Sequence, residues 1–133
     1  MFRETMRQLA LRGTLPKGNP NWHLYTDENA NANDLGTRIR HRKEDWTPIG
    51  LEHAQSLANA GALIVGSYVN PQGYGHIGFV YPVEAHRGQP LIRDGNIHKD
   101  EKGSVIAASS YGAVPASRAF PLHHTAWFRY RHY

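Results

Sequence analysis

Residues 50–82 read GLEHAQSLANAGALIVGSYVNPQGYGHIGFVYP, and this stretch decides the fold. Its first third spaces Leu51, Ala54, Leu57 and Ala58 along one helical face, with Gly50 at the start and Gly61 at the close. The run at 62–69 is short and apolar, with Ile64, Val65 and Val69 favouring extended backbone, so it predicts a buried strand. Asn70-Pro71-Gln72-Gly73 is turn chemistry, and residues 75–81 predict a second strand ended by Pro82. A helix leading into two strands joined by a tight turn fixes the middle of the chain.

Working outward, residues 2–12 place Phe2, Met6, Leu9 and Ala10 on one stripe and Arg3, Arg7 and Arg12 off it. That is an amphipathic helix, stopped by Gly13 and Pro16. Residues 14–34 are rich in Gly, Pro, Asn and Asp and read mostly as loop. Asn33 or Asp34 is expected to cap a short helix carrying Leu35 and Ile39. The basic run Arg38, Arg40, His41, Arg42, Lys43 falls near its C-terminal end, where the macrodipole favours cations. Two more strands are expected at 90–93 and 104–109. The tail at 126–133 alternates Trp127, Arg129 and Arg131 with Phe128, Tyr130 and His132, predicting a strand with one wet face. Helices precede strands, which predicts one α+β domain over residues 1–133, with two or three helices on an antiparallel meander of about five strands.

Composition narrows the function classes. No apolar run approaches the ~20 residues of a membrane-spanning helix, and the N-terminus lacks the apolar core of a secretory signal. The 133 residues contain no cysteine, so they supply no disulfide, no thiolate metal ligand and no thiol nucleophile. A net charge of +4 with nine histidines suits an anionic partner: nucleic acid, an acidic membrane or a wall polymer. A solvated basic surface accounts for the same charge.

The candidate for chemistry is His76, at the opening of the second strand in Tyr74-Gly75-His76-Ile77-Gly78-Phe79-Val80. With period two, His76, Gly78 and Val80 share one face, and Ile77, Phe79 and Tyr81 the other. Flanking glycines leave room for a substrate to reach the imidazole, as a general base requires. A structural strand-end histidine fits the same pattern.

Several of these segments together resemble the NlpC/P60 and CHAP-like cysteine peptidases, papain-like amidases and endopeptidases of bacterial and phage origin. The resemblance rests on Trp46-Thr47-Pro48-Ile49, on Ala54-Gln55 with Ala58-Asn59 and Gly61, and on Gly75-His76-Ile77-Gly78-Phe79-Val80. Ala119-Phe120 and Trp127-Phe128-Arg129-Tyr130 are similar to the closing strand of that group. The resemblance implies a papain-like α+β fold, no cofactor or metal, peptidoglycan or another anionic wall polymer as partner, and His76 as the catalytic base. It also implies a cysteine at the start of the first helix, at or just before Met1, where the dipole and the imidazole would lower the thiol pKa.

No cysteine stands there, and three explanations stay open. The sequence begins just past the nucleophile; or the protein is an inactive relative kept for binding within an assembly such as a virion or secretion apparatus; or a hydroxyl has taken over. Thr5 lies inside the helix, and no serine precedes Ser56. For the third triad member the candidates are Asp94 and Asn96, although Asp94-Gly95 is equally a turn signature. Adjacent His123 and His124 diverge on an extended backbone, and no His-Glu-x-x-His or phosphate-loop pattern occurs. A minority reading is nucleic-acid binding through Arg38, Arg40, Arg42 and Lys43 with Arg129, Tyr130, Arg131 and Tyr133.

Overall fold

A sheet of six strands, antiparallel at every pairing, is covered by helices on both faces in the computed structural model, which describes residues 2–11, 22–82, 89–93 and 113–133. The strands are β1 (Trp46–Ile49), β2 (Ile64–Tyr68), β3 (His76–Val80), β4 (Leu91–Arg93), β5 (Val114–Pro115) and β6 (Thr125–Tyr130). The helices are α1 (Phe2–Leu11), α2 (Ala32–His41), α3 (Leu51–Asn59) and a single turn α4 (Ala116–Ala119), with 3₁₀ turns at Trp22–Tyr25 and Leu122–His124. The α+β class is therefore correct, with six strands in place of about five.

The expected meander holds only from β2 to β5. The spatial order is β1-β6-β2-β3-β4-β5, so the last strand inserts between the first and second. Register shows why it belongs in the middle: Trp127 pairs with Ile49 and Gly66, and Phe128 with Pro48 and Val65. Both rings are buried on opposite faces, so the tail is not the half-wet strand that its alternation suggests. Among the last four residues of β6, Trp127 to Tyr130, Arg129 alone is exposed.

Each face carries its own core. Phe2 and Met6 of α1, Leu35 and Ile39 of α2, and Tyr25 pack with Trp46, Val65, Ile77, Phe79, Phe128 and Tyr130. On the other face, Ala54 and Ala58 of α3 and Ala116 of α4 meet Ile64, Val80, Ile92, Phe120 and Trp127. The predicted alternation along β3 is thereby observed, with Ile77 and Phe79 in one core and Val80 in the other. Among the described residues both sheet edges carry a proline, Pro48 in β1 and Pro115 in β5, each lacking the N–H that a further strand could use.

The cap of α2 differs from expectation. Asn31 is the cap: its side chain accepts from the Asp34 N–H, while the Asp34 carboxylate accepts from the Asn31 N–H. Asn33, two positions on and within α2, is thereby free to send its side chain to the turn between β2 and β3. Its amide donates to the carbonyls of Asn70 (2.8 Å) and Gly73 (2.9 Å), and its oxygen accepts from the Asn70 N–H (2.8 Å). The helix closure at Gly61 is as expected, with φ at 101°, where a side chain would be strained. The strand expected at 104–109 lies outside the described residues, as do Gly13 and Pro16.

Candidate functional site

His76 opens β3 and sits half-buried, its ring 5.1 Å from that of Phe120. Directly across the ladder is Tyr68, which in turn pairs with Thr125. The three side chains form a row across β3, β2 and β6 at one end of the sheet, on the face covered by α3 and α4. Cross-strand neighbours in such a row are ~5 Å apart. Phe120 closes the row from above and stands edge-on to Trp127, with ring centroids 5.6 Å apart. Gly66 makes this possible: a methyl group there would come within 2.7 Å of the Trp127 ring and 3.1 Å of Phe120.

Gly75, immediately before His76, is equally constrained. A Cβ at that position would run into the Asn33 side-chain oxygen and come within 2.6 Å of the Tyr68 carbonyl. The glycine is needed for close backbone approach, and it seats the turn that presents His76. Sequence reasoning found His76 and its glycines but missed Tyr68 and Phe120, whose place depends on pairing across distant segments.

The start of α1 does not come to His76. Phe2 stacks on Phe79, with centroids 5.5 Å apart and planes at 25°, on the face of the sheet opposite to the imidazole. Phe79 is also three residues further along β3, about 10 Å at the usual rise. Asp94 and Asn96 lie outside the described residues.

The Ala-Gln…Ala-Asn motif of α3 has a structural duty. Ala54 and Ala58 are small enough to let the helix axis approach the sheet, and both are buried. Gln55 reaches the junction of β3 and β4, where its amide N–H donates to the Tyr81 carbonyl and its oxygen accepts from the Leu91 N–H, both at 2.9 Å. Asn59 accepts a further bond from the same amide at 2.8 Å.

A second polar cluster escaped sequence analysis. Asp45, 1% exposed, receives the Tyr25 hydroxyl at 2.6 Å on one oxygen and lies 2.8 Å from His132 Nε2 on the other. The Arg42 guanidinium stands 3.6 Å away, and the backbone N–H of Arg131 donates to the Asp45 carbonyl at 2.7 Å. Burial, then the bond to Asp45, pushes the Tyr25 phenol well above its ordinary pKa. The five-residue network ties the end of β6 to the entry of β1. No local pattern marks it, because its members are up to 107 positions apart.

Three arginines of the basic run are engaged by other groups of the protein, while His41 and Lys43 are exposed. Arg38 bonds Asp27 (3.1 Å) and the Leu24 carbonyl (2.9 Å). Arg40 turns inward to the Ser67 hydroxyl and carbonyl, both at 2.7 Å, and lies over the Phe128 ring; burial lowers its pKa. Arg42 pairs with Glu44 at 2.8 Å, and Arg131 bonds the Lys43 carbonyl at 3.0 Å. This arrangement gives the run a structural role and leaves a phosphate backbone fewer cations than the sequence suggests.

Among the described residues no three His, Asp or Glu side chains gather as metal ligands, and no helix is long and apolar enough to cross a membrane. A cavity of about 280 Å³ opens at the far end of β3 between α1 and α3, with Thr5, Phe79, Tyr81, Arg93 and Tyr133 in its walls. No protein-family model matches the chain, and no curated protein matches it significantly.

Proposed function

We propose that this chain is a peptidoglycan-directed domain of the NlpC/P60 or CHAP kind, built for amide hydrolysis with His76 as the proton-transfer residue. The observation that carries the reading is the placement of His76: half-buried at the first position of β3, behind a turn seated by Gly75 and beside Tyr68 and Phe120. An imidazole there stands against an aromatic ring and stays partly exposed, as general acid–base work needs. In the mechanism, a thiolate attacks the amide carbonyl, the imidazole protonates the leaving amine, and water attacking with base assistance releases the acyl group. These 133 residues supply no thiol, so this reading requires a cysteine from outside them.

One observation favours a second reading, an inactive relative that holds a wall polymer or a protein partner within an assembly. The start of α1, where the resemblance puts the thiol, lies across the sheet from His76.

The deciding experiment combines the intact mass of the protein from its native source with a sacculus-hydrolysis assay. Additional residues containing a cysteine, with turnover abolished in His76→Ala, support the hydrolase. A mass matching residues 1–133, no turnover, and wall binding that survives His76→Ala support the binding reading. Failure to bind or cleave sacculi overturns the hydrolase and the wall-binding readings and leaves only the protein-partner form of the second.

A further inference from the structure

The turn between β2 and β3 presents an aromatic ring that the fold does not use. Tyr74 is 96% exposed, whereas nearly every other large apolar side chain among the described residues is at least partly covered. A single exposed tyrosine on a loose loop would carry little meaning. This one stands on a turn welded in place. Asn33 makes three hydrogen bonds to the turn backbone, from the start of α2. Asn70 adds two more within the turn, accepting from the Gln72 N–H at 3.1 Å and donating to the Tyr74 carbonyl at 3.4 Å. Gly75 lets the backbone on the other side come close to the Tyr68 carbonyl, where a side chain would clash. The backbone beneath the ring is therefore ordered before any ligand arrives, which removes part of the entropic cost of binding.

The chemistry around the ring selects its partner. Residues 70–75 carry no charge, and the residue anchoring them, Asn33, is an amide. A phosphate polymer would need cations here, and the two arginines of α2, Arg38 and Arg40, are bonded to Asp27 and Ser67. An aromatic face beside exposed Gln72 suits a neutral polyol: the C–H face of a pyranose lies on the phenol ring while the amide meets hydroxyls. His76 stands two residues further along the chain, so a ring held on Tyr74 is adjacent to the site.

We infer that Tyr74, on the Asn33-anchored turn, is a stacking platform for a neutral sugar ring of a glycan strand next to His76. The inference deepens the wall-directed reading by naming the glycan as what this turn meets.

The test is titration of the chain with a soluble, uncharged N-acetylglucosamine oligomer, followed by calorimetry and by the tyrosine ring resonances. Tyr74→Phe keeps the ring and should bind like the parent, while Tyr74→Ala should bind at least fivefold more weakly. The exposed side chain makes both variants fold normally, which a thermal melt checks. Absence of oligomer binding, or equal binding by Tyr74→Ala, overturns the inference. So does Tyr74-dependent binding of DNA in preference to the oligomer. Sacculus binding that persists without oligomer binding would sink the sugar platform and leave the wall-directed reading standing; oligomer binding without sacculus binding would do the reverse.

Discussion

Asp45 is the residue whose loss should be felt most. Its carboxylate is buried and faces the Tyr25 hydroxyl, the His132 imidazole and the Arg42 guanidinium. In Asp45→Asn the side-chain amide would turn a donor toward groups that are themselves donors, at a cost of about 3 kcal/mol in denaturant unfolding. A cycle with His132→Ala should return a coupling of about 1 kcal/mol or more between the two positions. Tyr25 gives the same cluster an alkaline limit. Because its folded pKa is raised above the ordinary 10.0, the protonated phenol contributes stability that is complete below pH 10 and declines as pH rises past it. Between pH 10 and 12 this loss runs at up to about 1.4 kcal/mol per pH unit, and the limb should flatten in Tyr25→Phe. At His76 the expectation is the opposite in kind. His76→Ala should change stability by less than about 1 kcal/mol, because the ring is only half-buried, while abolishing any turnover the protein shows on sacculi.

At the scale of elements, legibility followed the range of the interactions. Helices α1 and α3 and strands β2, β3 and β4 are readable because period, glycine and proline act within a few residues. The sequence points to Asn33 or Asp34 as the cap of α2, whereas Asn31 and Asp34 form the capping box and Asn33 bonds the β2–β3 turn, 37 residues away. Strand β5 and helix α4 escaped notice since two and four residues leave no period to detect. His76 was visible from its glycines, but Tyr68, Phe120 and the Asp45 cluster exist only once strands have paired. Gln55 shows how a motif can hold an element together without chemistry. Gln55→Ala would leave the Tyr81 carbonyl and the Leu91 N–H short of their side-chain partner, costing about 1–3 kcal/mol. Hydrogen exchange should reveal the loss first at β4, since the clamp bonds that strand directly.

For the whole molecule, two cores share one sheet, and neither survives without it. The face under α1 and α2 contains most of the large rings, with Trp46 and Tyr130 4.7 Å apart and Tyr25 edge-on to both. Helix α3 meets the other face through Ala54 and Ala58, which lets it lie close to Ile64, Val80 and Trp127. The insertion of β6 between β1 and β2 sets the order of events during synthesis. As the nascent chain leaves the ribosome, β1 and β2 emerge early with no direct partnership, and each waits for a strand that is made some 60 residues after β2. The first 124 residues should therefore remain without a cooperative unfolding transition, measurable by circular dichroism on that fragment. Adding a synthetic peptide of residues 125–133 in trans should restore the transition, because it supplies the interior strand that joins β1 to β2. A cell making this protein must keep two exposed strand edges from other chains until translation reaches Tyr130, and the prolines at 48 and 115 guard only the outer margins of the finished sheet.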